Sequence, residues 1–249
     1  MDLHIRDKFI TKWTEYFPGA GLPMAFFYTD DPGEIPVAPP PEKEQHCFIC
    51  QLGQVRQGAS VAFSRESLGC GGARRSLGYE TEPVPHLELF LSCGLKGHVE
   101  GIRYKKSAKL VEQIMAAQPP FKAPGRYIVF KPWDRLHAGD SPLAVVFFAR
   151  PDILAGLFGL AGFDEADPNA VICPSGAGCS TIVYHPFHEA QKERPRAVIG
   201  MFDVSARPCT PKDALTFAVP YAKFVRMVND MDVSFLITEQ WRKVRERLS

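Results

Sequence analysis

The sequence lacks an excess of charge of either sign: across 249 residues, 29 Lys+Arg stand against 28 Asp+Glu, a formal charge of +1. The basic footprint of a nucleic-acid or anionic-membrane binder is therefore missing, and no nucleic-acid partner is expected. A long hydrophobic run is missing too. The longest uncharged apolar stretch, Ile153 to Phe163, is broken by Gly156, Gly159 and Gly162. It falls short of the ~18 to 20 residues of a membrane span, so no membrane association is expected. The opening MDLHIRDKFITKW mixes acidic and basic residues and has no signal-peptide core, which points to the cytoplasm. Zinc-protease and nucleotide signatures are absent: there is no HExxH or HxH, no GxxxxGK[ST] and no GxGxxG. With 45% hydrophobic and 23% charged residues, the disordered and collagen-like classes are excluded.

What is there begins with an alternation of elements. His4 to Phe17 places Ile5, Phe9, Ile10, Trp13, Tyr16 and Phe17 close to helical spacing and stops at Pro18-Gly19. Met24–Tyr28, Val61–Phe63, Arg126–Phe130, Leu143–Ala149, Ala197–Phe202 and Leu215–Val219 read as strands, and HLELFLS (His86–Ser92) alternates enough to be read as one. Helices are expected over His46–Gln57, Ser107–Ala117, the residues after Arg150-Pro151, Tyr221–Asn229 and the basic stretch Thr238–Leu248. In Ser107–Ala117 the expected apolar face is Leu110, Val111, Ile114 and Met115. The order predicts an α/β fold with a mixed sheet and flanking helices, because some connections are too short for a parallel crossover. MAFFYTDDP and VVFFARPD echo each other, which raises the expectation of two similar halves. Residues 1–249 read as one unit with an N-terminal helix and a C-terminal amphipathic helix.

Seven cysteines carry the chemistry: Cys47, Cys50, Cys70, Cys93, Cys173, Cys179 and Cys209. In a reducing compartment they are not expected to form structural disulfides. Cys47 and Cys50 form a C-x-x-C, a spacing that lets two thiolates converge on a metal or exchange with a disulfide at a helix start. No second close pair follows, so a four-thiolate site would have to be assembled by tertiary folding, as iron–sulfur ligands can be. Cys70 sits in LGCGGARR, where Gly71 and Gly72 permit close backbone approach and Arg74 and Arg75 can steady an anion or thiolate. Cys179 sits in CPSGAGCS, where Gly176 and Gly178 can form an N–H-lined concavity. Arg207 and Cys209 follow the strand AVIGMFD, together with Asp203, at the kind of strand end where open α/β sheets bind ligands. Cys93 in LFLSCG reads as a small buried hydrophobe. Tyr184, Phe187 and Phe224 are candidates to line an apolar pocket, with ordinary core packing as the competing role.

Three functions remain open on these residues. The first is a thiolate-bound metal or iron–sulfur cluster in a redox role, with metal ligands drawn from Cys47, Cys50, Cys70, Cys179 and Cys209. The second is a small anionic ligand, or a thiol enzyme, served by Cys70, Gly71, Gly72, Arg74, Gly176, Gly178, Cys179 and Arg207. There Cys70 or Cys179 would react; with Cys179 as nucleophile and a histidine as base, His185 and His188, six and nine residues on, do not meet it easily along one helix, which leaves His46, His86, His98 or His137. The third is a structural or regulatory protein with no site.

The order of the pieces also resembles a known family. A cysteine helix, CGGARRSLGY, LAVVFFARPDILAGLFGLAGF, CPSGAGCSTIVYHPF, MFDVSARPC and DALTFAVPYAKFVRMV, in that order, are similar to the domain of unknown function family numbered 169, a set of uncharacterised prokaryotic proteins. The resemblance covers roughly Phe26 to Val228. Its matching positions are Cys47 or Cys50, Cys70 with Gly72, Ala73, Leu77 and Gly78, Arg150 with Pro151, Cys179, Arg207 with Cys209, and Pro220. Arg150 stands where the family pattern has Asn, and in SARPCT the order of Arg and Cys differs. The resemblance implies one fold unit and ranks Cys50, Cys70 and Cys179 first among the cysteines, and it carries no activity.

Overall fold

The computed structural model describes residues 1–41, 47–82 and 84–248. Strands β1 (Met24–Thr29), β2 (Val61–Phe63), β3 (Tyr127–Pro132), β4 (Ala144–Ala149), β5 (Val171–Ile172), β6 (Ala197–Gly200) and β7 (Leu215–Pro220) form a sheet in the order β2-β3-β1-β4-β7-β6-β5. All pairs are antiparallel except β5 with β6, so the mixed α/β sheet read from the sequence is present. Side chains alternate across it. In β4, Val145, Phe147 and Ala149 enter one core while Ala144 and Val146 enter the other.

The first core lies under α1 (Leu3–Tyr16), α6 (Pro151–Gly162), α8 (Tyr221–Asp230) and α9 (Glu239–Arg245). Helix α1 starts where the Asp2 carboxylate accepts the His4 N–H at 2.8 Å, and it buries Ile5, Phe9, Trp13 and Tyr16 along one stripe. A β-carbon at Gly156 of α6 would lie 2.5 Å from the rings of Phe17 and Trp241. Gly156, and Gly159 against the Phe235 ring, therefore serve close packing, whereas Gly162 faces open space. Phe224 stacks here against Phe9, Trp133 and Phe147. That corrects its grouping with Tyr184 and Phe187, which pack with Phe121 on the opposite face of the sheet.

The second face carries α2 (Phe48–Arg56), α3 (Gly71–Ser76), a π-helical turn at Ser180–Tyr184 that runs into α7 (His185–Glu189), and a 3-10 turn at Arg207–Cys209. Two short helices, α4 (Leu87–Phe90) and α5 (Ala108–Ala117), lie between β2 and β3. HLELFLS is thus a helical turn and not a strand. Its backbone hydrogen bonds close within a turn, with the Phe90 and Leu91 N–H groups donating to the His86 and Leu87 carbonyls, and it folds with α5 into an excursion in which only Val111 of α5 is buried. Leu110 is exposed for the same reason.

The two expected halves are visible in the topology. Strands β1 and β4 pair antiparallel at the centre, and the orders β1-β3-β2 and β4-β7-β6 run outward from them, each antiparallel throughout. Strands β3 and β7 each end in a proline, Pro132 and Pro220, placed opposite Met24 and Ala144. Each is followed by a helical turn. In both halves the segment after the outer strand carries a cysteine, Cys70 after β2 and Cys209 after β6. In both halves the helical element before that strand carries one too: Cys50 in α2, and Cys179 at the start of the π turn.

Candidate functional site

The two halves cross over at these cysteines. Cys50 of the first half is disulfide-bonded to Cys209 of the second, across 159 residues of chain. Cys179 of the second half reaches the first, where its Sγ lies 3.4 Å from Ser76 Oγ and 3.8 Å from the Gly72 carbonyl oxygen. The disulfide corrects the expectation that the cysteines would all be free. The start of α2 packs directly on the Arg207–Cys209 turn, a juxtaposition that sequence spacing does not reveal. Of the remaining cysteines, Cys47 is half-buried, Cys70, Cys93 and Cys173 are exposed, and Cys179 is buried. Cys93 is therefore not the core residue that its apolar neighbours implied; it lies on the surface just after α4.

Cys47, Cys50 and Cys209 bring their sulfurs within 4.8 Å of one another. Cys47 is the N-cap of α2 and its side chain caps nothing, so its sulfur is not tied up by the helix. Arg56, at the far end of α2, donates Nη2 to the Cys209 carbonyl oxygen at 3.0 Å and lies over the Phe148 ring at 4.9 Å from its centroid. The guanidinium is thus anchored beside the disulfide. Burial lowers its pKa from the usual arginine value.

Cys179 sits in a different environment. Burial pushes its thiol up to about 12, the Ser76 hydrogen bond opposes this, and charge at Cys70, Asp203 and Cys47 adds to the rise. Cys70 and Cys47 are therefore its electrostatic neighbours. As a free nucleophile Cys179 is held in the unreactive thiol form. No histidine joins the sulfur cluster among the described residues. His46 lies outside the described residues. His185 and His188 are on α7 against Tyr184 and Phe121, with their Nε2 atoms buried and unpartnered.

The glycine loop before Cys179 already holds an anion of the chain's own. Gly178 donates its N–H to Asp203 Oδ2 at 2.9 Å. The other oxygen, Oδ1, accepts from the Ser205 N–H at 3.0 Å, the Ser205 hydroxyl at 2.7 Å and the Tyr104 hydroxyl at 3.4 Å. A carboxylate from the segment that leads to Cys209 thus occupies the donor offered by Gly178. At Gly176 a β-carbon would fall 2.8 Å from Ser180 Oγ, so that glycine makes room for the start of the π turn. Arg207 turns inward on its own loop, donating to the carbonyls of Ala214, Lys212 and Pro211 at 2.5, 2.6 and 3.4 Å. Gly71 and Gly72 open α3, and Arg74 lies within it with Nε buried and without a hydrogen-bond partner.

Ser76, Arg56 and Tyr104 were not legible as site residues. Ser76 lies one helical turn beyond Gly72, a spacing that could have flagged it. Nothing in the sequence links Tyr104 to Asp203, 99 positions away.

A family model for DUF169, described as "Uncharacterised ArCR", matches residues 20–230, most of the chain and all seven cysteines. The chain belongs to this family. No curated protein and no solved structure matches it. Membership in DUF169 agrees with the resemblance read from the motifs and assigns no reaction. Among the described residues, no helix of this DUF169 chain is long and apolar enough to cross a membrane.

Proposed function

We propose that this DUF169 protein binds a thiolate-ligated metal in the cytoplasm, in a redox role, through Cys47, Cys50 and Cys209, with Cys70 or Cys179 as a further ligand. The observation that carries the reading is the approach of three sulfurs, from two distant parts of the chain, to within 4.8 Å. Thiolates bound to one tetrahedral ion through bonds of ~2.3 Å lie roughly 3.8 Å apart, a spacing that Cys50 and Cys209 would take up beside Cys47 once their mutual bond is reduced and the two sulfurs part. An iron–sulfur cluster would draw on the same cysteines with a wider reach, and Cys179, an electrostatic neighbour of both Cys47 and Cys70, stands next in line. Metal binding needs the Cys50–Cys209 bond reduced and the thiols deprotonated, so reduced protein is the binding form.

The test is anaerobic purification under reductant, followed by separate reconstitution with zinc and with ferrous iron plus sulfide, and metal and sulfide analysis. Stoichiometric metal, lost in Cys47→Ser, Cys50→Ser and Cys209→Ser, supports the reading. Fully folded, reduced protein that takes up no metal under either condition overturns it.

A further inference from the structure

The sulfur cluster contains one cysteine more than its cross-link uses. Cys50 is bonded to Cys209, while the free Cys47 lies within 4.8 Å of both sulfurs and belongs with Cys50 to a C-x-x-C at the start of α2. Cys50 therefore has two partners in reach, one local and one from the other half of the fold. It is also the exposed member of the three, open to attack from solvent.

We propose that Cys47, Cys50 and Cys209 form a thiol–disulfide exchange centre, in which Cys47 takes over Cys50 from Cys209 and low-molecular-weight thiols complete the reduction. In the first step the Cys47 sulfur, as thiolate, attacks Cys50 Sγ. A Cys47–Cys50 bond forms, the Cys50–Cys209 bond breaks, and its electron pair leaves on Cys209 Sγ; no electrons enter or leave the protein. Arg56, fixed to the carbonyl of Cys209, puts a cation beside the residue that receives this charge. In the second step an external thiolate attacks the exposed Cys50 Sγ, releasing Cys47 and leaving a mixed disulfide. A second external thiolate then removes the first as a small-molecule disulfide, so the two electrons that reduce the protein come from the two external thiols. The exchange replaces a cross-link between the halves with one inside a single turn of helix, and so detaches the Arg207–Cys209 turn from α2. It goes beyond the metal-binding reading and stands independently of it.

The experiment uses oxidised full-length protein treated with limiting glutathione, quenched in acid, alkylated and mapped by mass spectrometry. A Cys47–Cys50 linkage that rises and falls before full reduction is expected. In Cys47→Ser that species is absent, and loss of the Cys50–Cys209 bond slows by about tenfold or more, the advantage of an internal over an external attacking thiol. Cys93→Ser, at an exposed cysteine outside the cluster, reduces at the unaltered rate. The proposal is overturned if the Cys50–Cys209 linkage is missing from oxidised protein, or if no Cys47–Cys50 species is trapped. An equal rate of reduction in Cys47→Ser overturns it as well. The trapping measurement needs no variant, so the result does not depend on how well Cys47→Ser folds. Metal uptake by the reduced protein is read separately and can fail without affecting it.

Discussion

The thiol of Cys179 lies 3.4 Å from the hydroxyl of Ser76, and this contact joins the glycine loop of one half of the fold to the glycine loop of the other. It is the counterpart, across the central β1–β4 pair, of the covalent link between Cys50 and Cys209. In each case the helical element before an outer strand meets the segment that follows the opposite half's outer strand. Cys47, Cys50, Cys179 and Cys209 thus gather at one seam between the halves.

The buried position of Cys179 fixes an order of reactivity. In reduced native protein, Cys50, Cys70, Cys93 and Cys173 are exposed and should be alkylated first, whereas Cys179, buried and pushed up to about 12, should react about a hundredfold more slowly or only on unfolding. Time-resolved alkylation with peptide mapping reads the order directly. Cys179 among the fastest sites would contradict this account.

Asp203 holds the Cys179 loop and the segment leading to Cys209 together. In Asp203→Ala the Gly178 N–H and the Ser205 N–H lose their shared acceptor, at an expected cost of about 1–3 kcal/mol in unfolding free energy. Asp203→Asn keeps one acceptor oxygen and should lose less. Denaturant unfolding of the two variants beside the parent measures the difference, and equal stability of all three would remove Asp203 from the role.

Gly200, at the end of β6, packs directly beneath the Thr181 side chain of the π turn, and a β-carbon there would overlap it. Gly200→Ala should push the π turn off the sheet, with a loss of about 1–3 kcal/mol from overpacking. A lowered melting temperature, with Cys179 alkylated faster than in the parent, is the expected pairing. An unchanged melting temperature would mean that the turn has room to move.

Stability should fall in mild acid. Burial drives the pKa of His185 down to about 4, helped by the neighbouring His188, and burial lowers His188 as well. The unfolded imidazole takes up a proton near pH ~6.5, so between ~6.5 and ~4 the unfolded state binds protons that the native state refuses. The contribution is whole above this window and is lost as the pH drops through it. His185→Gln should therefore flatten the decline in unfolding free energy between about pH 6.5 and about pH 4.5, leaving a smaller slope from His188. An unaltered slope would show that His185 does not titrate in this way.

Much of the scaffold was legible from local pattern. Runs such as AVVFFA and LTFAVP carry the β-branched and aromatic residues that a strand buried on both faces requires, and both are central strands. Proline after Arg150 marked the start of α6, because caps and first turns depend on the few residues around them. HLELFLS failed for the converse reason. Four to seven residues of weak alternation do not decide between strand and helix, and the segment closed its hydrogen bonds locally.

By itself, then, the sequence determined a mixed α/β fold, its strand cores, its DUF169 membership and the cysteines worth following. Only the tertiary structure decided which sulfurs meet. It joined Cys50 to Cys209, set Cys47 beside them, buried Cys179 against Ser76, filled the Gly178 donor with Asp203 and left Cys93 in solvent. The physical reason is range. Helix starts and strand runs are settled by neighbours within a few residues, whereas a contact across 159 residues exists only because the two halves of the sheet pair at β1 and β4 and carry their loops to the same seam.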